Sequence, residues 1–348
     1  MSDLDSISRR KFLKLGLGAV GSIGAVGVLG SCAVPSPIGQ TTGGVAVNLY
    51  NPHNQHGGLA MPMPVGEINY QANGFNPDDI LTDFDYGKVS TLPNGQTLRE
   101  YEVFAGVKTV EVMPSVNYEA WTYNGRVPGP TFRATEGDRM RINFLNATGH
   151  PHTMHFHGVH PGNMDGVYEV IPAGERFTYE FDAEPFGLHL YHCHVFPLAE
   201  HIMRGLYGAF IIDPKGGRPT VDREYVMVMN GIDLDFDGVN DVYAVNFIPF
   251  HYDRYPIKFK VGEKVRVYLV NILERDLVNS FHLHANFFNY YPTGTSLTPT
   301  EYTDTIIQAQ AQRGILEFSY RYPGKYMFHA HVTEFAELGW TGVFLVEE

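Results

Sequence analysis

Four His-x-His phrases stand out in this 348-residue sequence: His155 and His157 in HTMHFHG, His192 and His194 around Cys193 in YHCHVF, His282 and His284 in FHLH, and His329 and His331 around Ala330 in FHAHV. Neutral imidazole and thiolate are both metal ligands. Successive side chains on a strand face opposite ways, so residues two apart share a face and lie about 6.8 Å apart along it. Each phrase therefore offers two imidazoles to one side, which makes eight. Cys193 points to the other side, as does His152, an odd three residues before His155, while His201 folds back from the loop after the cysteine as a third ligand. One cysteine and two histidines in trigonal array is the donor set of a blue, or type-1, copper. Imidazole with thiolate also suits zinc, but eight clustered imidazoles exceed any single zinc site. No carboxylate or second cysteine stands where tetrahedral zinc would want one. Copper is the expected metal.

These phrases sit in an internal duplication. PAGERFTYEFDAEPFGLHLYHCH (172–194) aligns without a gap on AQAQRGILEFSYRYPGKYMFHAH (309–331), pairing Arg176 with Arg313, Glu180 with Glu317, Gly187 with Gly324 and both histidines. Upstream, EGDRMRINFLN (136–146) matches VGEKVRVYLVN (261–271), and HTMHFHG matches NSFHLHA. The second copy has Asn279 for His152, Ala330 for Cys193 and no histidine in the loop after His331. All three losses fall on one metal face, and all four histidines of the other face are kept. One copy thus binds metal on both sides of its strands and the other on only one.

The elements that position these groups are short alternating strands with turn signals such as Pro-Gly and Glu-Gly-Asp, the pattern of a small β-sandwich, written twice. The fold class expected is all-β, two tandem sandwich domains at 98–215 and 220–348, with PKGGRPTVD (214–222) as the linker. Residues 33–97, rich in Gly, Pro and Asn, read as an N-terminal extension with little regular structure. A net charge of -13, with no dense Lys/Arg run beyond the first residues, excludes nucleic acid as a partner.

Residues 1–32 carry the pair Arg9-Arg10 before a short Gly/Ala-rich apolar segment, which resembles a twin-arginine export signal. Leu29-Gly30-Ser31-Cys32 resembles a lipobox, which would make Cys32 a lipid anchor at the outer face of the membrane or in the periplasm. Cys193 is then the sole remaining thiol, so no disulfide forms within the mature chain.

From about residue 98 to 348, the motifs HTMHFHG, HCHVFPLAEH, FHLH and HAH together resemble the multicopper oxidases, in particular the two-domain, laccase-like kind with its type-1 copper in the first cupredoxin domain. That resemblance implies Greek-key cupredoxin domains and about four coppers per chain. It assigns His152, Cys193 and His201 to type-1 copper, with Leu206 at a non-coordinating axial position and Met203 as the competing axial residue. His155 and His282 would hold the type-2 copper, and His157, His192, His194, His284, His329 and His331 the type-3 pair. It also implies a homotrimer with each cluster shared between subunits. Asp165, in GNMDGV, occupies the place of the family's acidic residue near the type-2 site, and Glu334 and Glu337 follow HAH as further candidates for proton delivery.

The expected function is one-electron oxidation of a small reductant, phenolic or a low-valent metal ion, coupled to four-electron reduction of dioxygen to water. The rival reading is a copper nitrite reductase, with a single type-2 copper on three histidines; a non-enzymatic blue electron carrier would leave eight histidines idle. DLDFDGVND (233–241) opens like a calcium loop, but Ala244 stands where a bidentate Glu belongs, so a surface turn is expected. His53, His56, Met61 and Met63 are read as part of an ordinary extension. His150, His160, His189 and His251 are read as polar residues or supports behind the ligands.

Overall fold

The alternating pattern folds as written. In Arg139–Asn146 every second residue is buried, with Met140, Ile142 and Phe144 turned inward. The structure, a computed structural model, describes residues 66–348. The export signal, Cys32, His53, His56, Met61 and Met63 lie outside the described residues.

The first domain is two packed sheets. One orders the strands Phe84–Asp85, Thr131–Thr135, Tyr207–Asp213, Gly187–His192 and His155–Phe156. The other orders Lys88–Thr91, Thr97–Met113, Arg139–Asn146 and Arg176–Asp182, with Val116–Tyr123 paired to the long Thr97–Met113. Thr131–Thr135 runs parallel to Tyr207–Asp213, a pairing that needs a crossover between the sheets. The second domain repeats the plan: Ile257–Lys260 runs parallel to Thr341–Glu347, Gly324–His329 antiparallel to it, and Val278–Leu283 antiparallel to Gly324–His329. Register then does the positioning. His155 stands opposite His192, and His282 opposite His329.

Each sandwich has its own apolar core, and a third core lies between them, joining Val110, Leu188 and Ile211 of the first domain to Val226, Tyr268 and Ile315 of the second. Each such aliphatic side chain contributes about 1.5–3 kcal/mol on burial. An apolar interface this extensive holds the two domains as one body. At its rim Arg133 pairs with Asp213 and Glu224, and Arg266 with Glu224 and Glu317.

The expectation of little regular structure before residue 97 is corrected for residues 66–97. Asn69 caps the helix Tyr70–Asn73 by accepting from Ala72 N, and Gly74 closes it in the left-handed conformation. Asn76 caps Pro77–Thr82, with Pro77 at the first helical position where its missing N–H costs nothing. Ile80 enters the interdomain core and Leu81 the core of the second domain, while Phe84–Asp85 and Lys88–Thr91 join the two sheets of the first. The Gly, Pro and Asn that read as coil are the caps and turns of a strap across both domains.

Candidate metal centres

The first centre is a buried triangle. Cys193 Sγ lies 3.2 Å from His201 Nδ1 and 3.7 Å from His152 Nδ1, and the two Nδ1 atoms are 3.2 Å apart. His152 and Cys193 are fully buried and His201 nearly so. The centre of such a triangle lies roughly 2 Å from each corner, a metal–nitrogen bond length. Burial pushes His152 down to about 3 and His201 down to about 4, so both imidazoles keep their lone pairs at neutral pH. Burial pushes the Cys193 thiol up, and Thr153 N–H donates to Sγ at 3.5 Å. A bound cation is what would hold that sulfur as thiolate.

Leu206 belongs to the apolar cluster that contains Cys193, and its carbonyl accepts the Cys193 N–H at 3.0 Å. Met203 is buried outside that cluster, on the helix Leu198–Met203 that carries His201. Trp121 closes the other side, its ring 4.8 Å from that of His201 and 5.2 Å from that of His152. The exposed His150 stacks on Trp121 at 5.0 Å.

Two further histidine clusters, one in each domain, repeat each other. In the first domain the rings of His157, His192 and His194 surround His155 at 5.0, 5.1 and 5.3 Å. In the second, His284, His329 and His331 surround His282 at 4.8, 5.4 and 5.1 Å. His157 Nε2 faces His192 Nε2 at 3.3 Å, and His284 Nε2 faces His329 Nε2 at 2.9 Å. Among the described residues no ring contact or hydrogen bond joins one set of four to the other.

The backbone fixes the tautomers. A carbonyl oxygen only accepts, so His155 Nδ1–H donates to Asp165 O at 2.8 Å, His192 to Cys193 O at 2.9 Å, His282 to Asp304 O at 3.1 Å and His329 to Ala330 O at 2.7 Å. In each case Nε2 keeps a free lone pair for a metal, the usual role of a carbonyl behind a ligating histidine. Burial lowers His157 to about 2 and His192 to about 4, and it lowers His155, His284 and His329 as well. His194 Nδ1 is buried with no hydrogen-bond partner, an atom that a metal would satisfy.

Asp165 stands where its motif predicts, with its carboxylate 3.3 Å from His155 Nδ1 and 2.7 Å from His160 Nε2. Gly166 makes this approach possible: at its φ of +73° a Cβ would fall 1.9 Å from Met154 O. Glu337 is exposed, and no described hydrogen bond links it to a histidine; Glu334 is partly buried on the same short helix, Thr333–Glu337. His160 is therefore more than an ordinary polar residue. Asp304 and Thr305, whose Oγ1 lies 2.8 Å from His282 Nδ1, do in the second domain what Asp165 does in the first. Sequence reasoning missed them because Asp165 follows its histidine by ten residues and Asp304 by twenty-two, so the repeat alignment does not pair them.

In the second domain the place of the triangle is filled. Ala330 N–H donates to Trp340 O at 3.2 Å, as Cys193 donates to Leu206, so Trp340 occupies the position of Leu206. Its buried indole Nε1–H donates to Asn279 Oδ1 at 3.0 Å, and Asn279 stands for His152. An indole–amide hydrogen bond stands where the first domain has His152, of the triangle, and Leu206 beside it.

Two family profiles, both described as multicopper oxidase, match residues 105–217 and 226–348. A solved structure titled as a multicopper oxidase is 57% identical, covering 81% of this chain and 100% of its own, with a TM-score of 0.79. The chain belongs to the multicopper oxidase family. Its fold is accordingly a tandem of cupredoxin domains, and its metal is copper. Other multicopper oxidase relatives pull toward a different reaction. The copper nitrite reductase of Nitrosomonas europaea is 27% identical, covering 72% of this chain and 94% of its own at a TM-score of 0.67. The copper-containing nitrite reductase of Neisseria meningitidis is 32% identical over 249 residues, 64% of this chain. The match spans 63% of that relative's length, a little under two thirds.

Proposed function

We propose that this chain is an exported, laccase-like multicopper oxidase that takes single electrons from a small phenolic or low-valent-metal reductant and reduces dioxygen to water. The observation that carries the reading is the mirrored pair of four-histidine sets, each with two Nε2 atoms facing at 3.3 or 2.9 Å. A type-2 copper on three histidines, as a nitrite reductase needs, would leave five of the eight without a task. The nitrite reductase reading rests on the relatives named above, and it is tested beside the first.

His152, Cys193 and His201 would hold type-1 copper, His155 and His282 type-2, and the other six histidines the type-3 pair, about four coppers per chain. Copper supplies one-electron storage at each ion, and four reducing equivalents convert one dioxygen and four protons to two waters. The protein does the rest. The exposed His150, stacked on the buried Trp121, would offer the reductant an approach to the triangle. Cys193 is peptide-bonded to both His192 and His194, so its sulfur reaches the cluster ligands through a few covalent bonds. Asp165 and His160 hold and relay protons at the Nδ1 side of His155. Glu334 and Glu337 are the weaker candidates for the same task.

Because no ring contact or hydrogen bond among the described residues joins the two histidine sets, each cluster is proposed to close between the first domain of one subunit and the second domain of another, as a homotrimer with three shared clusters would achieve. Export by the twin-arginine route and acylation of Cys32 complete the reading. The test is to load the mature protein with copper, count the metal, and follow both dioxygen and nitrite consumption. About four coppers, a blue band near ~600 nm and dioxygen uptake support the oxidase. About two coppers with nitrite turnover would replace it.

A further inference from the structure

The loop from Asp233 to Asp241 turns at the surface, as its sequence suggests, with Phe236, Asp237 and Val239 exposed, but its two ends are buried. Asp233 is fully buried and Asp241 is 1% exposed, and one oxygen each from Asp233, Asp235 and Asp241 lie within 4.8 Å of one another. Asp241 Oδ2 accepts from Leu234 N at 2.7 Å, but Asp241 Oδ1 is buried without any hydrogen-bond partner. An ionised oxygen in that state is among the most costly groups a fold can bury. No described Lys or Arg forms an ion pair with Asp233, Asp235, Asp237 or Asp241. The charge has no protein counterion.

We propose that this loop binds a calcium ion, with Asp233, Asp235 and Asp241 as carboxylate ligands. The donors are all hard oxygens, which select calcium or magnesium over copper. Calcium loops of this type draw oxygens from positions 1, 3, 5, 7, 9 and 12, with glycine at position 6 for the sharp turn, and positions 1, 3, 9 and 6 are the ones that bear on the three carboxylates. Here those positions are Asp233, Asp235, Asp241 and Gly238, the last with φ of +91°. Asp241 directly supplies the carboxylate that the Ala244 position lacks. The sequence objection is thereby removed, because a buried aspartate at position 9 compensates for the missing acid at position 12.

The loop connects to the Cys193 triangle only through intervening side chains. Phe236, between Asp235 and Asp237, lies under the Arg204 guanidinium at 4.1 Å, and the same guanidinium lies 4.8 Å over Trp121, whose ring contacts His201. A cation that orders the loop therefore orders one wall of the reductant side of the first domain.

The experiment uses the full copper-loaded protein, dialysed into buffer freed of calcium on a chelating resin and titrated calorimetrically with calcium chloride. Saturable uptake of one ion per chain with Kd below about 1 mM, and a melting temperature that climbs with calcium as mass action requires, are expected. Asp241→Asn and the partly exposed Asp235→Asn should each lose uptake and calcium-dependent melting together while keeping the blue band. The proposal is overturned if the wild type takes up no calcium, if both variants bind as the wild type does, or if magnesium binds as tightly as calcium. If Asp241 is instead neutralised by a proton, Asp241→Asn will melt as the wild type does with or without calcium, and the proposal also fails.

Discussion

Asp165 grips His155 twice: its backbone carbonyl accepts the Nδ1–H at 2.8 Å and its carboxylate lies 3.3 Å from the same nitrogen. The first contact orients the ring and the second is available for a proton. Asp165→Asn keeps the carbonyl and removes the acid. Its blue band should stay unchanged while reoxidation of the reduced protein by dioxygen slows about 10²-fold or more, the range for a lost general acid. Full turnover across the pH range in a stopped-flow experiment would remove Asp165 from the proton path.

Leu206 packs with Cys193 in one apolar cluster and is the residue proposed for the non-coordinating axial position. Leu206→Met supplies a thioether there and should lower the reduction potential of the blue site. Spectroelectrochemical titration reads this directly. An unchanged midpoint would transfer the axial position to Met203.

If each cluster is shared between subunits as proposed, it can be rebuilt from two broken chains. His157→Ala spoils the first-domain half and His284→Ala the second-domain half, so neither protein alone should reduce dioxygen. Coexpressed with random assembly, about one quarter of interfaces would pair two intact halves. Dioxygen uptake near that fraction of wild type is expected; none at all would mean that each cluster forms inside a single chain.

The triangle's histidines should ignore mild acid. Their folded values, about 3 for His152 and about 4 for His201, lie below the ordinary 6.5. Below about 6.5 the unfolded chain takes up protons that the folded chain refuses. The stability these two groups contribute is therefore complete above that pH and is lost as pH falls toward 3 to 4. In copper-free protein, neither ring should show a proton NMR titration between pH 8 and 5. A midpoint near 6.5 for either would place it in solvent.

Much of the site was legible because strand parity is a rigid code. His155, His157, His192 and His194 converge, and Cys193 turns away with His152, as a period of two requires. The duplicated sequence likewise carried the register of both domains. What escaped lies where position in sequence says little about position in space. Asp304 and Thr305 reach His282 from across a strand pair, and the core of Val110, Leu188 and Val226 joins strands that lie far apart in sequence. The capped helices at Tyr70 and Pro77 were hidden by the residues that make them, since Asn, Gly and Pro signal a helix end as readily as coil.

Trp340 stands in the way of a second triangle. Putting back a histidine at 279 and a cysteine at 330 would meet an indole already lodged between them and bonded to Asn279. Clearing the space by Trp340→Ala opens a cavity at a cost of about 3–5 kcal/mol before any ligand is in place. The loop after His331 is also shorter, reaching Trp340 in nine residues where His194 takes twelve to reach Leu206. A second triangle would therefore need the indole cleared and the loop lengthened before a ligand set could form, and as the sequence stands the two domains carry unequal trades.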